Sequence, residues 1–198
     1  AVRHGMPPII TYLPGAKHTY LSDVNRTRLP ENVTGYLKTD DQYKPITVKI
    51  KDSTGNILEE AIPKVNILKE GNYSPESIDA GPEREIDILA LMEDNFENAP
   101  LAGFIIEGQA PYGTMTNSAR NALMAKATLS GMPVVRVGRG NNEGFAAPAG
   151  TFIGGGNLTS TKARLLLLAC LLRFGALPPV ADSDNPSTEE LNYIMKHL

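Results

Sequence analysis

The sequence predicts an α/β fold of three layers, a small parallel sheet between helices, led by an extended arm and a β-hairpin. Three observations predict it. From Lys64 onward, short β-branched runs alternate with stretches of helical period. Parallel neighbours need such crossover elements between them. The chain of 198 residues, 41% hydrophobic and 21% charged, also has the composition of a globular domain with one substantial core.

The first 45 residues read as an extended arm or interdomain connector, because Pro7, Pro8, Pro14, Pro30 and Pro45 interrupt any long element. Residues 46–198 then form the domain proper. In it Ile46, Val48 and Ile50 alternate with Thr47, Lys49 and Lys51, and Asp52-Ser53-Thr54-Gly55-Asn56 follows as a turn. This predicts a hairpin over 46–60, inserted ahead of a strand at Lys64–Leu68. Next, Ile88, Leu91, Met92 and Phe96 recur at helical spacing within Glu83–Asn98, which makes one apolar face.

Leu101–Gly108 is a short buried strand. The stretch TNSARNALMAKATLSG reads as a helix capped by Thr116 or Asn117 and stopped at Gly131. MPVVRVGRG is another strand, running into a glycine loop. A long apolar helix follows the triple glycine at Gly154. In the last helix Asn185 is expected as N-cap with Pro186 at the first helical position, and Leu191, Ile194, Met195 and Leu198 share its face. The resulting sheet is of the flavodoxin-like kind. Ligands of such sheets sit beyond the carboxyl ends of the strands, which singles out the loops 69–74, 108–116 and 138–150.

Several classes are disfavoured. Nineteen basic against twenty-two acidic residues leave a net charge of −3, with no basic run to follow a phosphate backbone, so nucleic acid is not expected as a partner. The longest apolar run, Leu165–Leu172, falls far short of the roughly 20 residues that cross a bilayer, and no membrane association is expected. His4, His18 and His197 are widely spaced and form no metal-ligand pattern with Cys170, which reads as a structural thiol; neither metal nor cofactor is expected. No G-x-S-x-G elbow is present, so the serine-hydrolase reading lacks its nucleophile. Sequons at Asn25, Asn32, Asn72 and Asn157 suggest a glycoprotein on a secretory or periplasmic route. Because the chain opens at Ala1, a fragment or processed product is expected.

The stretch FIGGGNLTSTKARLLLLACLLRF resembles a phosphate loop at first sight. A lysine in such a loop directly follows the last glycine, so that backbone N–H groups and the ammonium converge on one anion. Here Lys162 comes six positions after Gly156, in the first turn of a helix capped by Thr159 or Ser160. The dinucleotide pattern G-x-G-x-x-G is not matched either. The glycines are therefore expected to allow close backbone approach.

LAGFIIEG, GMPVVRVGRG and above all GTFIGGGNLTSTKARLLLLACLL resemble the C-terminal domain of bacterial-type L-asparaginases and glutaminase-asparaginases. Leu158, Lys162, Ala163, Arg164, Leu165 and Leu166 match the family's "G.L...KAR.LL" segment in spacing and type. AKHT (Ala16–Thr19) and PKVNIL (Pro63–Leu68) look like its connector and the first strand of its smaller domain. The resemblance implies a homo-oligomeric amidohydrolase in which a larger N-terminal domain carries the nucleophilic threonine. That domain's "TGGTI" and "HGTDT" signatures do not occur here. This chain would be inactive alone and would complete the substrate site and oligomer interface of a threonine-bearing domain acting on a small amino-acid amide.

In the family the smaller domain lends an asparagine from a "G.GNGN"-type loop and a glutamate from a later loop. Here Pro111 falls at the asparagine position, leaving Gln109 or Asn117 to substitute, and Glu143 is the acid in the shortened later loop. Arg136 and Arg139 match the arginines of a "VVRSSR"-like strand and, with Lys162 and Arg164, imply structural and interface roles. Two other readings stay open: a non-catalytic binding protein that keeps the small-domain fold, and a free-standing nucleotide binder.

Overall fold

The computed structural model describes residues 29–69, 83, 85–110, 112–139 and 146–197. Most of the expected arm, residues 1–28, lies outside them.

The described chain begins with a hairpin, but not the one expected. Strand β1 (Asn32–Thr39) pairs antiparallel with β2 (Gln42–Lys49) in a register running from Asn32 opposite Lys49 to Thr39 opposite Gln42. Its two-residue turn, Asp40-Asp41, has both residues at positive φ (52° and 59°), the backbone hand that matches the twist of a two-residue hairpin. Aspartate tolerates that conformation better than most side chains. Pro45 sits within β2, which a two-stranded ribbon accommodates because one edge of each strand is unpaired. The expected turn at Asp52–Asn56 does form, yet it closes only a single bridge between Lys51 and Ile57. There Asp52 accepts from the Thr54 hydroxyl (2.7 Å) and from the backbone N–H groups of Thr54 (2.8 Å) and Asn56 (2.9 Å). The hairpin thus spans 32–49, and residues expected in the arm supply most of it.

The main sheet has four parallel strands in sequence order: β3 (Lys64–Lys69), β4 (Ala102–Gly108), β5 (Val134–Gly138) and β6 (Ile153–Gly154). Helices α1 (Ile86–Asn98) and α2 (Ser118–Leu129) cross over one face; α3 (Ser160–Phe174) covers the other. This is the expected three-layer α/β arrangement. Alternation along β4 divides the core: Ala102, Phe104 and Ile106 pack with Ile88, Met92, Leu123 and Met124, whereas Ile105 turns to Ala163, Leu167 and Leu171 of α3. Phe104, Ile105 and Ile106 are fully buried, each worth roughly 1.5–3 kcal/mol of apolar transfer.

The hairpin caps the amino ends of these strands. Tyr36 N–H donates to the Pro100 carbonyl (3.1 Å), and Ala176 N–H donates to Thr34 O (2.9 Å). Leu29, Val48 and Ile50 join Ala61 and Leu101 in a separate buried cluster.

Helix α4 (Thr188–His197) packs Ile194 and Leu191 on Leu129 and Val180. Its cap differs from expectation. Ser187 Oγ accepts from Glu190 N–H (3.2 Å) while Glu190 Oε2 accepts from Ser187 N–H (2.9 Å), a reciprocal capping box. Asn185 instead donates to Asp182, because the box satisfies the orphan donors two residues later than Asn185 and Pro186 would. Met195 of the expected apolar face is exposed, and Leu198 lies outside the described residues. No helix among the described residues is long and apolar enough to cross a membrane.

Candidate functional site

The strand order increases steadily across the sheet, so the order never reverses to open a crevice between diverging loops. The candidate site is the line of loops along the carboxyl edge itself. The loop after β4 is folded tightly onto that edge. Gln109 N–H donates to Thr114 O (2.9 Å) and Gly113 N–H to Gln109 O (2.8 Å). Two glycines make this possible. A Cβ on Gly108 would lie 2.4 Å from Gly113 carbonyl atoms, and one on Gly113, whose φ is +67°, would lie 2.8 Å from Val137 O. Gln109 itself is exposed at the edge with its main chain pinned. Pro111 and Glu143 lie outside the described residues.

Two ionic clusters flank this loop, one on each face of the sheet. On the α1 and α2 side, Arg120 makes a two-pronged contact to Glu85 (3.0 and 3.2 Å) and donates to the carbonyl of Lys69 at the end of β3 (3.2 Å). Both partners are largely buried, with side-chain exposures of 12% and 16%. Asn117 belongs to the same cluster. Its side-chain oxygen caps α2 by accepting from Arg120 N–H (3.0 Å), and its amide donates to Glu85 (3.2 Å). Both ends of that amide are thus engaged within the chain.

On the α3 side, Glu107, one residue from the end of β4, accepts from the Ser160 hydroxyl (2.6 Å) and lies 3.6 Å from Arg139 Nε. Arg139 N–H in turn donates to Gly108 O (3.1 Å). The set ties the ends of β4 and β5 to the start of α3. A serine hydroxyl against a carboxylate invites a nucleophile reading. Here, however, no imidazole joins Ser160 and Glu107 among the described residues, and the carboxylate also faces the Arg139 guanidinium. A structural clamp is the better account. Arg136 reaches from β5 to the Ala147 carbonyl (2.7 Å), with its Nε buried and unpartnered among the described residues.

The triple glycine is a packing device. Gly155 N–H donates to Arg136 O (2.8 Å), and a Cβ there would fall 2.5 Å from Val137 Cγ1 and 2.9 Å from that carbonyl. A Cβ on Gly154 would lie 2.4 Å from Pro148 N. Thr159 caps α3 by accepting from Lys162 N–H, and the Lys162 side chain is exposed to solvent. Arg164 is likewise exposed and borders β3, while Leu166, Cys170 and Phe174 border an apolar groove beside β5 and β6. Burial pushes the Cys170 thiol above its ordinary pKa, as a structural thiol would have it.

The sequence assigns no site role to Glu85, Glu107, Arg120 or Ser160, the last of them only a candidate helix cap. The signal was available in part: Glu107 is the only charged residue in an otherwise apolar strand, and a charge there is tolerated only at the strand's open end. Among the described residues no group of three or more His, Cys, Asp or Glu is arranged to hold a metal ion.

No protein-family model matches the chain, and no curated protein does. Among solved structures it is similar to one described as a probable cytoplasmic L-asparaginase from Campylobacter jejuni, at 19% identity and a TM-score of 0.43. That likeness covers 79% of this chain and 46% of the other, so the chain spans less than half the length of that protein.

Proposed function

We propose that the chain is the smaller lobe of an asparaginase-like amidohydrolase, completing the substrate site and oligomer interface of a domain that supplies the nucleophilic threonine. The observation that carries the reading is the segment from Gly150 to Leu172. Its resemblance to the family runs through Leu158 and Lys162–Leu166, and in the fold this segment forms the last strand and the helix behind the sheet. Gln109 is the edge residue suited to contact a substrate, since its amide can donate to a carboxylate and accept from an ammonium group. Glu143 supplies the carboxylate for that ammonium. Arg136 and Arg139 hold the loops between them, and Lys162 with the exposed Leu165, Leu166 and Phe174 forms the contact with a neighbouring copy.

The reaction assigned to the assembly is hydrolysis of a side-chain amide, asparagine or glutamine, to the acid and ammonia. The test is ammonia release from each amide, measured for this chain alone and joined in one polypeptide to a threonine-bearing domain. Silence alone and turnover when joined, with KM raised several-fold by Gln109→Ala or Glu143→Gln, is the expected pattern. Turnover by the isolated chain would overturn it. One observation favours a second reading, a binding protein that keeps the fold without the chemistry: Asn117 spends its amide on the α2 cap and Glu85. On that reading the joined protein stays silent and still binds the amide.

A further inference from the structure

At the outer edge of β3, away from the loop edge, lies a cleft of about 310 Å³, large enough for a molecule of amino-acid size. Its floor includes Ala61, Val65 and Leu101, all nearly fully buried. Three charged side chains line it: Glu60, Lys64 and Arg164. Lys64 is already spent on an ion pair with Asp94, which also accepts from Asn98. Glu60 and Arg164 have no ion pair or hydrogen bond among the described residues. One unpaired anion and one unpaired cation therefore border the same cleft.

Both are presented by anchored backbone. Glu60 sits in the single 3₁₀ turn Glu59–Ala61, next to Ala61, which is 1% exposed. Arg164 sits in α3 next to the buried Ala163, on the side of the helix over β3. Asn66 adds a third group: its amide nitrogen is enclosed without a partner, so the carbonyl oxygen is the end available to a ligand. That oxygen and the Glu60 carboxylate are acceptors; the guanidinium is the donor.

Charge sign selects the ligand. A simple carboxylate would meet Arg164 and be repelled by Glu60, and a simple amine would meet the reverse. We infer that this cleft binds a small zwitterion, with Arg164 holding its carboxylate and Glu60 and Asn66 holding its ammonium group. The guanidinium can take the carboxylate through two parallel hydrogen bonds, which a lysine could not do. Exposed Ile62 and buried Pro63 give a short side chain an apolar wall. The inference does not rest on the amidohydrolase reading, whose substrate contact Gln109 lies at the opposite end of the sheet.

The experiment uses the full chain and L-alanine, and the position of the shifted signals separates this cleft from the loop edge, where Gln109 is assigned the same two charged groups. Isothermal titration with L-alanine, acetate and ethylamine is followed by amide NMR shifts. L-alanine is expected to saturate the protein in the millimolar range and to move the signals of Lys64, Asn66 and Asn98, with acetate and ethylamine at least about tenfold weaker. Arg164→Gln and Glu60→Gln, both at exposed positions, should each weaken the L-alanine-induced shifts of Lys64, Asn66 and Asn98 by about tenfold in affinity. Equal binding of acetate, survival of those shifts in Arg164→Gln, or shifts confined to the loop edge would each overturn the assignment, as would the absence of binding.

Discussion

Replacing Gly155 by alanine tests the account of the glycine-rich stretch most sharply. The new methyl group would sit 2.5 Å from Val137 Cγ1, 2.9 Å from the Arg136 carbonyl oxygen and 3.3 Å from Val135 Cγ1. A side-chain methyl can rotate away, but the carbonyl belongs to the central part of β5 and also accepts the Gly155 N–H at 2.8 Å. Relief requires β6 to move off β5. Overpacking of this kind costs about 1–3 kcal/mol, and weakening the hydrogen bond adds about 1 kcal/mol, so a loss of about 2–4 kcal/mol is expected. For a chain of this size each kcal/mol moves the midpoint by about 2–4 °C, which places the shift between about 4 and 16 °C in a thermal melt followed by circular dichroism. Phosphate at 50 mM, on the order of a high working concentration, should leave the wild-type midpoint where it is, because a ligand raises stability only by binding the native state. A Gly155→Ala protein that melts with the wild type, or a wild type stabilised by phosphate, would refute the packing account and restore the anion loop.

Glu85→Ala strands the guanidinium of Arg120 in a largely buried position, and urea denaturation should show a loss of about 3–5 kcal/mol; Glu85→Leu combined with Arg120→Met should recover most of it. The Asp52 carboxyl is held down to about 2, chiefly by the Thr54 hydroxyl and then by the Asn56 N–H. Its folded value lies below its unfolded one, so its contribution is present above the unfolded value near 3.9 and disappears as pH falls through about 2. The melting difference between wild type and Asp52→Ala should accordingly be constant near neutral pH and close across that window. Since burial raises the Cys170 thiol, its reaction with a disulfide reagent at pH 8 should be slower than that of glutathione and should speed up on unfolding in urea. Ser187→Ala removes one half of the α4 capping box and should cost about 1 kcal/mol by the same urea assay.

The parts of the fold readable from sequence are those where one local rule acts alone. The Lys64–Leu68, Leu101–Gly108 and Val134–Gly138 strands announce themselves as short apolar runs between breakers, and Asn117, Thr159 and Gly131 mark helix ends through side-chain chemistry and positive φ. The hairpin escaped because Asp40-Asp41 is not a typical turn pair and Pro45 argues against a strand; only pairing with residues 32–39 and burial against Leu101 select it. The α4 cap was misplaced by two residues because Asn-Pro and Ser-x-x-Glu are competing start signals and the reciprocal pair prevailed. At the carboxyl edge, Gln109 enters only through the family resemblance, as a substitute for the asparagine expected at the Pro111 position. The Glu85–Arg120 and Glu107–Arg139 pairs could not be read from the sequence, since 35 and 32 positions separate the partners and only the sheet brings them together.

The docking of the hairpin has a bearing on how an enzyme could be assembled from this lobe. Leu29 is anchored beside Ala61 and Leu101, at the starts of β3 and β4, while Gln109 stands past the finish of β4. A seven-residue strand rises about 23 Å, so Leu29 and the candidate contact lie at opposite poles of the sheet. On the proposed amidohydrolase reading, a catalytic body that packs at the hairpin pole either doubles back along the flank of its own lobe or presents its nucleophile to the lobe of a neighbour. The second route makes each active centre a joint product of two polypeptides, and mixing a Gln109-deficient chain with one lacking the threonine would restore a fraction of the activity.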